Sequence, residues 1–262
     1  MFVIPMAGES RRFSDAGYAA PKFRLPLHGN SVFAHAVGSF ARYFATEQFL
    51  FALRTGNDVE AFVRAECDKL QIARARLVTL ERPTSGQAES VALALNDAAV
   101  SDDESVTIFN IDTVRPDYRH PQFAVADGRV DGFLEVFAGS GDNWSFVREE
   151  EGTSGVVAET AEKRAISNLC CTGLYHFGRA GDFRWAFANR PPAKSDAERH
   201  ESYVAPLYNV LIAGGRNIRD VVVPRSSVVF CGTPKEYEEA AASRDVAAQL
   251  APHLQHQNAH AQ

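Results

Sequence analysis

The segment MFVIPMAGESRRF, residues 1–13, begins with a short apolar run and then turns small, polar and basic. Its apolar part, residues 2–6, is predicted to be a strand that begins almost at the first residue. Residues 7 to about 26 are rich in Gly, Ser and Arg, and they are predicted to be a loop. A strand that runs into small residues lets backbone N–H groups approach an anion closely. This segment therefore indicates an anion site directly after the first strand.

Strand and helix patterns alternate from this segment to residue 109. Residues 31–43 carry apolar side chains at helical spacing, with Ser31 placed as the N-cap, and residues 49–53 form the fully apolar run that is typical of a buried parallel strand. The further predicted elements are a helix at 58–70, a strand at 76–80, a helix at about 87–99 and a strand at Val106–Phe109. Repeated units of this size predict a parallel sheet with right-handed crossovers.

The pattern changes after residue 112, where strands are mostly joined by turns. The predicted elements are strands at 132–138, 144–148, 155–159 and 169–177, helices at about 182–189 and 203–213, short strands at 221–223 and 228–230, and a closing helix at 234–250. Residues 251–262 are rich in His, Gln and Ala without an apolar face, and they are predicted to be a disordered tail. Without an internal repeat or a linker, residues 1–250 are expected to form a single domain.

Composition excludes several classes of protein. The 262 residues are 45% hydrophobic and 23% charged, which is typical of a globular protein and excludes disorder over most of the length. No apolar run is long enough for a transmembrane helix, and the first residues lack the basic start of a signal peptide, so we expect a cytoplasmic protein. The four cysteines form no CxxC pair, and adjacent Cys170 and Cys171 would point to opposite faces of a strand, which favours reduced, buried thiols. The formal charge of −6 argues against nonspecific binding to nucleic acid, and no membrane partner is expected.

Basic residues in the first loop suit a polyphosphate. Arg11 or Arg12, together with Lys22, could neutralise phosphates whose transfer depends mostly on positioning and charge stabilisation. On composition alone, a basic, solvated loop after an edge strand explains the same residues equally well.

The wider pattern of this loop resembles a known family. GESRRF at residues 8–13, followed by Pro21-Lys22, is similar to the GxGxRF…PK signature of the sugar-nucleotide pyrophosphorylases and related nucleotidylyltransferases. The longer pattern, IPMAG and then SRRFSDAGYAAPK, is particularly close to bacterial members associated with capsule or surface-polysaccharide genes, some of which are cytidylyltransferases. The resemblance implies a GT-A-like, Rossmann-related α/β fold with a mixed, mostly parallel sheet flanked by helices. It also implies transfer of a nucleotidyl group from an NTP, with CTP favoured, to a sugar phosphate or another small phosphorylated acceptor, with release of pyrophosphate.

Two further segments resemble the nucleotide half of the family, residues 1–115. TSGQAES at residues 84–90 is similar to a glycine-containing loop that faces the base, and Asn110-Ile111-Asp112 ends a buried strand where open α/β sheets place ligands. A common Ser-Gly turn and a helix-capping aspartate are the simpler explanations of these segments. The resemblance implies catalytic roles for Arg12 and Lys22, and it makes Asp112 the ligand of a Mg²⁺ ion. The residues that it implies for nucleotide binding are Met6, Ala7, Gly8, Ser10, Arg11, Gly86 and Gln87.

The acceptor half, residues 116–250, carries two more matching segments. Glu162-Lys163 and residues 166–175, ISNLCCTGLY, resemble the EK…SN…TGxY stretch of the family. Lys163 would bind the acceptor phosphate, and Asn168, Thr172 and Gly173 would line the acceptor pocket, although Lys163 considered alone is more typical of a surface charge. FCGTPKEY at residues 230–237 resembles the GTPxxL segment near the end of the family's domain.

One departure leaves alternatives open. Many pyrophosphorylases carry a second metal-binding Asp just before the GTP segment, whereas this chain has Phe230-Cys231, which suits Mg²⁺ poorly. Asp112 could hold the metal with phosphates and water, or Glu201 or Asp220 could substitute, or activity could be reduced. A GT-A glycosyltransferase that uses Asn110-Ile111-Asp112 as a DxD-like motif, and a catalytically weakened nucleotide- or sugar-binding homologue, are the competing interpretations.

Overall fold

A computed structural model describes residues 1–56, 58–123, 129–192 and 202–251. Its strands are β1 (Phe2–Pro5), β2 (Pro26–Leu27), β3 (Asn30–Ser31), β4 (Phe49–Arg54), β5 (Ala75–Leu80), β6 (Val106–Phe109), β7 (Thr113–Val114), β8 (Gly132–Ala138), β9 (Ser145–Glu149), β10 (Val157–Glu162), β11 (Leu169–Phe177), β12 (Ile218–Val222) and β13 (Val229–Phe230). Its helices are α1 (Arg11–Asp15), α2 (Val32–Gly38), α3 (Val59–Lys69), α4 (Gln87–Asp97), α5 (Ala180–Ala188), α6 (Leu207–Ala213), α7 (Pro234–Ala242) and α8 (Arg244–Leu250). Short 3₁₀ turns lie at Lys22–Arg24, Ala41–Tyr43 and Arg225–Ser227.

One nine-stranded mixed sheet runs through both halves of the chain. Its order is β10-β9-β11-β6-β1-β4-β5, and β8 and β12 continue it from β11. Strands β6, β1, β4 and β5 are parallel, and β11 joins the second half to them because it runs antiparallel to β6 and also pairs with β9. The α/β class and the mixed sheet flanked by helices are therefore as the sequence predicted.

The apolar strands are buried on both faces, which explains their continuous apolar runs. On β1, Val3 packs in one core cluster with the buried face of α4, whereas Phe2 and Ile4 pack in a second cluster with α2 and α3. Ser31 caps α2 as predicted, since its hydroxyl accepts a hydrogen bond from the Ala34 N–H at 3.0 Å. Burial on both sides fixes the positions at which β1 and β6 end, and those ends place the site.

The order of the strands reverses at β1. The chain moves from β1 outward to β4 and β5, and then returns across β1 to β6 on the other side. In open α/β sheets, ligands bind outside the carboxyl ends of the strands at such a reversal. The loop after β1 and the Asn110-Ile111-Asp112 segment after β6 both leave the sheet at this place.

Several predicted boundaries are wrong in detail. The first loop contains helix α1, and the helix predicted at 31–43 ends at Gly38 before a separate 3₁₀ turn. The closing helix is broken into α7 and α8 at Ser243, which has an extended ψ of 122° and caps α8 by accepting from the Val246 N–H. The helix predicted at 203–213 begins only at Leu207, after Pro206. The predicted tail lies outside the described residues, except for Ala251.

The cysteines behave as the sequence predicted. All four are free and buried. Cys170 and Cys171 belong to two different core clusters, so their side chains point to opposite faces of β11. Within the described ranges, no helix is long and apolar enough to cross a membrane.

Candidate active site

A cleft of about 880 Å³ opens at the carboxyl ends of β1 and β6. All five segments that the sequence analysis singled out contribute to its walls. The predicted site residues that line it are Ala7, Gly8, Ser10, Arg11, Arg12, Lys22, Gly86, Gln87, Asp112, Thr172 and Gly173. Of the remaining predicted residues, Met6 lies behind the wall in the core, while Lys163 and Asn168 are exposed and do not line the cleft.

The first loop presents free donors to the cleft. Within the described part of the chain, the backbone N–H groups of residues 7–12 have no hydrogen-bond acceptor. Ser10 adopts a left-handed conformation with φ of 53°, which turns the backbone from the strand into α1. Met6 secures the start of the loop, because its N–H donates to Ala52 O at 2.8 Å and its side chain is buried. The loop is therefore already shaped to receive an anion.

The arginines of the loop differ in their surroundings. Arg11 forms an ion pair with Glu9, and Arg54 at the end of β4 contacts the same carboxylate at 2.8 Å. The hydrogen bond from Arg11 is the main cause of a lowered pKa at Glu9, and Arg54 adds to it. Arg12 is exposed and has no ion-pair partner among the residues described. Its guanidinium is consequently available for a bound anion.

Lys22 and Asp112 meet within the cleft. The Lys22 ammonium lies 2.5 Å from Asp112 Oδ2, and the two side chains are only 24% and 18% exposed. Pro21 and the 3₁₀ turn hold Lys22 below the first loop, while Asp112 follows β6 by three residues. A cation and a carboxylate that are ninety positions apart in the chain are thus in contact beside the free N–H groups.

A series of hydrogen bonds connects the start of α4 to β11. The Gln87 side-chain amide donates to Asn110 Oδ1, and the Asn110 N–H donates to Gly173 O at 3.1 Å. Gly173 has φ of +96°, and a Cβ there would come within 2.6 Å of Asn110 Nδ2. Gly86 has φ of +135° and passes so close to Ser202 that a Cβ would lie 2.5 Å from its backbone nitrogen. The absence of a Cβ therefore lets Gly173 lie against the Asn110 side chain and lets Gly86 lie against the Ser202 backbone.

Thr172 belongs to a buried charged group beneath the cleft. Its hydroxyl donates to Glu135 Oε1 at 3.1 Å, and the Arg115 guanidinium contacts both Glu135 oxygens at 3.1 Å. Glu135 is only 4% exposed, and burial raises its pKa despite the opposing effect of Arg115. Arg115 follows β7 directly, so this group connects the Asp112 segment to β8 and β11.

The acceptor side has an aromatic wall. Phe230 lies 4.7 Å from the Trp144 ring and 5.4 Å from the Phe137 ring, and the Arg225 guanidinium lies 4.6 Å from the Phe230 ring. Ser145 donates a hydrogen bond to Glu162, and both residues line the cleft. This wall contains the position at which the family signature carries an aspartate.

Lys163 and Asn168 lie at the edge of the acceptor side. The Lys163 ammonium donates to the Tyr203 hydroxyl at 2.5 Å, and Tyr203 does line the cleft. Asn168 contributes its carbonyl to Gly139 N at 2.9 Å. Rotation of the long Lys163 side chain away from Tyr203 would be needed to bring its charge into the cleft.

The carboxylates near Asp112 differ from those expected. Asp220 is buried on β12 and does not line the cleft, and Glu201 lies outside the described residues. Instead, Glu236 of α7 lines the cleft beside Gly232. Its oxygen and that of Asp112 are of the type that Mg²⁺ prefers, and one or two protein carboxylates with substrate phosphates are its usual ligands. The donor set therefore fits Mg²⁺, although no group of three or more His, Cys, Asp or Glu side chains forms a metal cluster among the residues described.

The sequence analysis gave no role to several cleft residues, among them Arg54, Asn110 and Glu236. Arg54 is the last residue of β4, which pairs with β1 in parallel. Its position at the carboxyl end of a predicted parallel strand could have indicated that it lies at the site. Asn110 was quoted within a motif but given no role. Glu236 was also quoted within a motif and given no role, because its approach to Asp112 depends on the folding of residues far apart in the chain.

Comparison with solved structures finds proteins that are similar over nearly the whole chain. The chain matches no family model and none of the curated proteins. Among solved structures it is 45% identical to a nucleoside-diphosphate-sugar pyrophosphorylase from Vibrio cholerae, over 93% of this chain and 100% of that one, with a TM-score of 0.85. An inositol-1-phosphate CTP transferase from T. maritima shares the fold at 12% identity and a TM-score of 0.71, over 96% of this chain and 95% of that one. A UDP-glucose pyrophosphorylase also shares the fold, at 16% identity and a TM-score of 0.68, over 92% of this chain and 96% of that one.

Proposed function

The chain belongs to the nucleoside-diphosphate-sugar pyrophosphorylases, a family of nucleotidyltransferases, and from this premise we propose that it couples CTP to a phosphorylated small molecule. The acceptor is a sugar phosphate or a small non-sugar phosphate, and the second product is pyrophosphate. The preference for CTP rests on the similarity of the first loop to cytidylyltransferases. The observation that carries the proposal is the Lys22–Asp112 pair beside a loop of free N–H donors.

The reaction needs no covalent intermediate on the protein. An oxygen of the acceptor phosphate attacks the α-phosphorus of the NTP in line, a new P–O bond forms, and the bond to the bridging oxygen of pyrophosphate breaks. Charge develops on the leaving group and around the α-phosphate, so fixed cations and N–H donors stabilise the transition state more than the ground state. Mg²⁺, when bound, supplies further neutralisation between the nucleotide phosphates.

We assign the nucleotide half, residues 1–115, as follows. Arg12 binds the leaving β- and γ-phosphates, since its guanidinium has no ion-pair partner among the described residues. Lys22 stabilises charge at the α-phosphate after leaving Asp112, whose carboxylate would hold Mg²⁺. The residues assigned to the rest of the nucleotide are Met6, Ala7, Gly8, Ser10, Arg11, Gly86 and Gln87. Met6 acts indirectly, because its N–H donates to Ala52 O and its buried side chain secures the start of the loop.

The acceptor half, residues 116–250, orients the attacking group. Lys163 binds the acceptor phosphate after rotating away from Tyr203, and Asn168 supports the loop that carries the pocket edge. Thr172 and Gly173 line the pocket close to Asn110. We place the reaction in the cytoplasm, where it would make precursors for capsule or surface polysaccharide.

The test measures pyrophosphate release and thermal stability with CTP, UTP, dTTP, ATP and GTP in the presence of Mg²⁺. A nucleotide at about 100 times its Kd should stabilise the protein by roughly 2.7 kcal/mol. Arg12→Ala and Lys22→Met should each lower kcat by roughly 10²–10³-fold, by analogy with the loss of one oriented donor.

Two exposed residues away from the cleft provide matched controls. Arg64 pairs with Glu60 and Lys69 lies near Glu66, both on the outer face of α3. Arg64→Ala and Lys69→Met should keep wild-type turnover. The proposal is wrong if no NTP stabilises the folded protein and none yields pyrophosphate with a panel of sugar phosphates and phosphocholine.

A further inference from the structure

We propose that Arg54 is a positioning residue of the phosphate site, which keeps the Glu9 carboxylate paired while Arg11 turns to the nucleotide. The inference rests on the proposed function, because that function supplies the phosphates and assigns Arg11 to them. It gives Arg54 a defined part in binding, although this residue does not need to touch the nucleotide.

The first loop carries a carboxylate where an anion is expected to bind. Glu9 lies among residues 7–12, whose backbone N–H groups have no hydrogen-bond acceptor in the described part of the chain. It lines the cleft, and its side chain is 34% exposed. A carboxylate without a partner at this place would repel a phosphate. Binding of a polyphosphate therefore requires that the charge of Glu9 stays compensated.

Both oxygens of this carboxylate contact an arginine. The Arg11 Nε donates to Glu9 Oε2, and the Arg54 Nη1 lies 2.8 Å from Glu9 Oε1. Arg11 lowers the pKa of Glu9 more than Arg54 does, so separating Arg11 from the carboxylate has a cost. Arg11 must nevertheless leave Glu9 in order to place its guanidinium on a phosphate. Arg54, on the other oxygen, reduces the cost of that step.

The two arginines differ in what holds them. Arg11 lies two residues from Glu9 in the chain and is 80% exposed, so its side chain is free to turn to a ligand. Arg54 is the last residue of β4, and its backbone is paired with Leu80 of β5. Among the described residues, the contact of Arg54 with Glu9 is the one side-chain hydrogen bond or ion pair that links residues 7–12 to the sheet. Arg54 is thus the fixed partner and Arg11 the movable one.

This arrangement predicts that the effects of two substitutions are not additive. In Arg54→Met, Glu9 keeps a single partner, so Arg11 stays on the carboxylate or leaves it uncompensated beside the phosphates. Glu9→Gln removes that charge, and it should restore binding in the Arg54→Met background. In the wild-type background, where Arg54 already compensates Glu9, the same substitution should change the Kd by less than about twofold. Independent charge effects would instead give the same factor in both backgrounds.

The experiment measures binding of inorganic tripolyphosphate, and then of CTP, to the whole protein by isothermal titration calorimetry at constant ionic strength. Coupled neighbouring side chains typically change a binding constant by roughly 2- to 150-fold, and we expect the Kd of Arg54→Met for tripolyphosphate to rise by about tenfold. Thermal unfolding of each variant shows that it is folded. Because a half-exposed ion pair contributes little to stability, the melting temperature should change by only a few degrees.

Arg82→Met provides the matched control. Arg82 forms an ion pair of the same length, 2.8 Å, with Glu89, and it directly precedes Pro83, which lines the cleft. The substitution removes the same charge at the edge of the cleft without changing the surroundings of Glu9. The Kd for tripolyphosphate should therefore stay within about twofold of the wild-type value. An equal rise in this control would reveal a general charge effect and overturn the assignment of Arg54.

The outcomes distinguish this inference from the proposed function. An unchanged Kd in Arg54→Met, equal effects of Glu9→Gln in both backgrounds, or no tripolyphosphate binding by the wild-type protein overturns the role of Arg54 even if pyrophosphate is released from an NTP. Conversely, weaker binding in Arg54→Met that Glu9→Gln restores, without pyrophosphate release from any NTP, supports the role of Arg54 and refutes the proposed function.

Discussion

Arg115→Met should destabilise the protein by an amount that depends strongly on pH. Arg115 and Glu135 form an ion pair whose side chains are 15% and 4% exposed. Without the guanidinium, Glu135 keeps one hydrogen bond, from the Thr172 hydroxyl at 3.1 Å. Removing one partner of a buried pair typically costs about 3–5 kcal/mol, because the other charge stays buried without compensation.

Protonation of Glu135 sets an upper limit to this cost. The ordinary pKa of this carboxyl group is 4.5, and burial already raises its pKa in the folded protein. Neutralising the group at a given pH costs about 1.36 kcal/mol for each pH unit above 4.5, which is about 4 kcal/mol at pH 7.5 and about 1.4 kcal/mol at pH 5.5. A carboxyl group whose pKa is raised in the folded protein favours folding while it is protonated, and this contribution is lost as pH rises through its folded pKa. Removal of the Arg115 charge raises the folded pKa of Glu135 further, so the difference between variant and wild type grows with pH. The destabilisation should therefore be larger at the higher pH.

Urea unfolding at the two pH values measures this difference in the free energy of unfolding, and thermal unfolding gives the corresponding shift of the melting temperature. For a chain of this size, the melting temperature should fall by roughly 10 °C at pH 7.5 and by roughly 4 °C at pH 5.5. The matched control is Arg148→Met, since Arg148 lies 2.9 Å from Glu159 at the surface, where the two side chains are 49% and 32% exposed. A surface pair contributes about 1 kcal/mol or less.

A second substitution checks the cause. Glu135→Gln on the Arg115→Met background removes the buried charge and should restore most of the lost stability at pH 7.5. Equal losses at both pH values, or no recovery with Glu135→Gln, would refute the explanation from an uncompensated carboxylate.

Three other perturbations test the fold and the site. Gly86→Ala should lower the free energy of unfolding by about 1–3 kcal/mol and raise the KM for the nucleotide, because φ is +135° and the new Cβ would meet Ser202 N at 2.5 Å; wild-type urea unfolding and KM would contradict this. Burial lowers the pKa of His176 to about 3, so stability should decline as pH falls below about 6.5, and the slope measured by urea unfolding should shrink by up to about 1.4 kcal/mol per pH unit in His176→Gln. An unchanged slope would show that His176 is not the titrating group. All four buried thiols should resist a disulfide reagent at pH 8 in the folded protein and react after denaturation, and rapid reaction of any thiol in the folded protein would disprove their burial.

Local sequence patterns determined much of the sheet. The predicted strands Val106–Phe109, Gly132–Ala138 and Leu169–Phe177 have the same bounds in the structure, because continuous apolar runs must be covered on both faces and turn residues end them. The first loop was also predictable, since small and basic residues follow directly on β1. Helix ends were less predictable, because the apolar pattern continues through Ser243, where the backbone becomes extended and the side chain caps a new helix.

Tertiary structure alone decided which charges meet. Lys22 and Asp112 are far apart in the chain and lie 2.5 Å apart because the strand order reverses between β1 and β6. The approach of Glu236 to Asp112 likewise depends on the pairing of β13 with β7, and a Cβ at Gly232 would be in contact with both carboxylates. A sequence pattern reports the side chains of one segment and their periodicity. Contacts between distant segments arise only when strand order, register and burial have brought those segments to the same edge of the sheet.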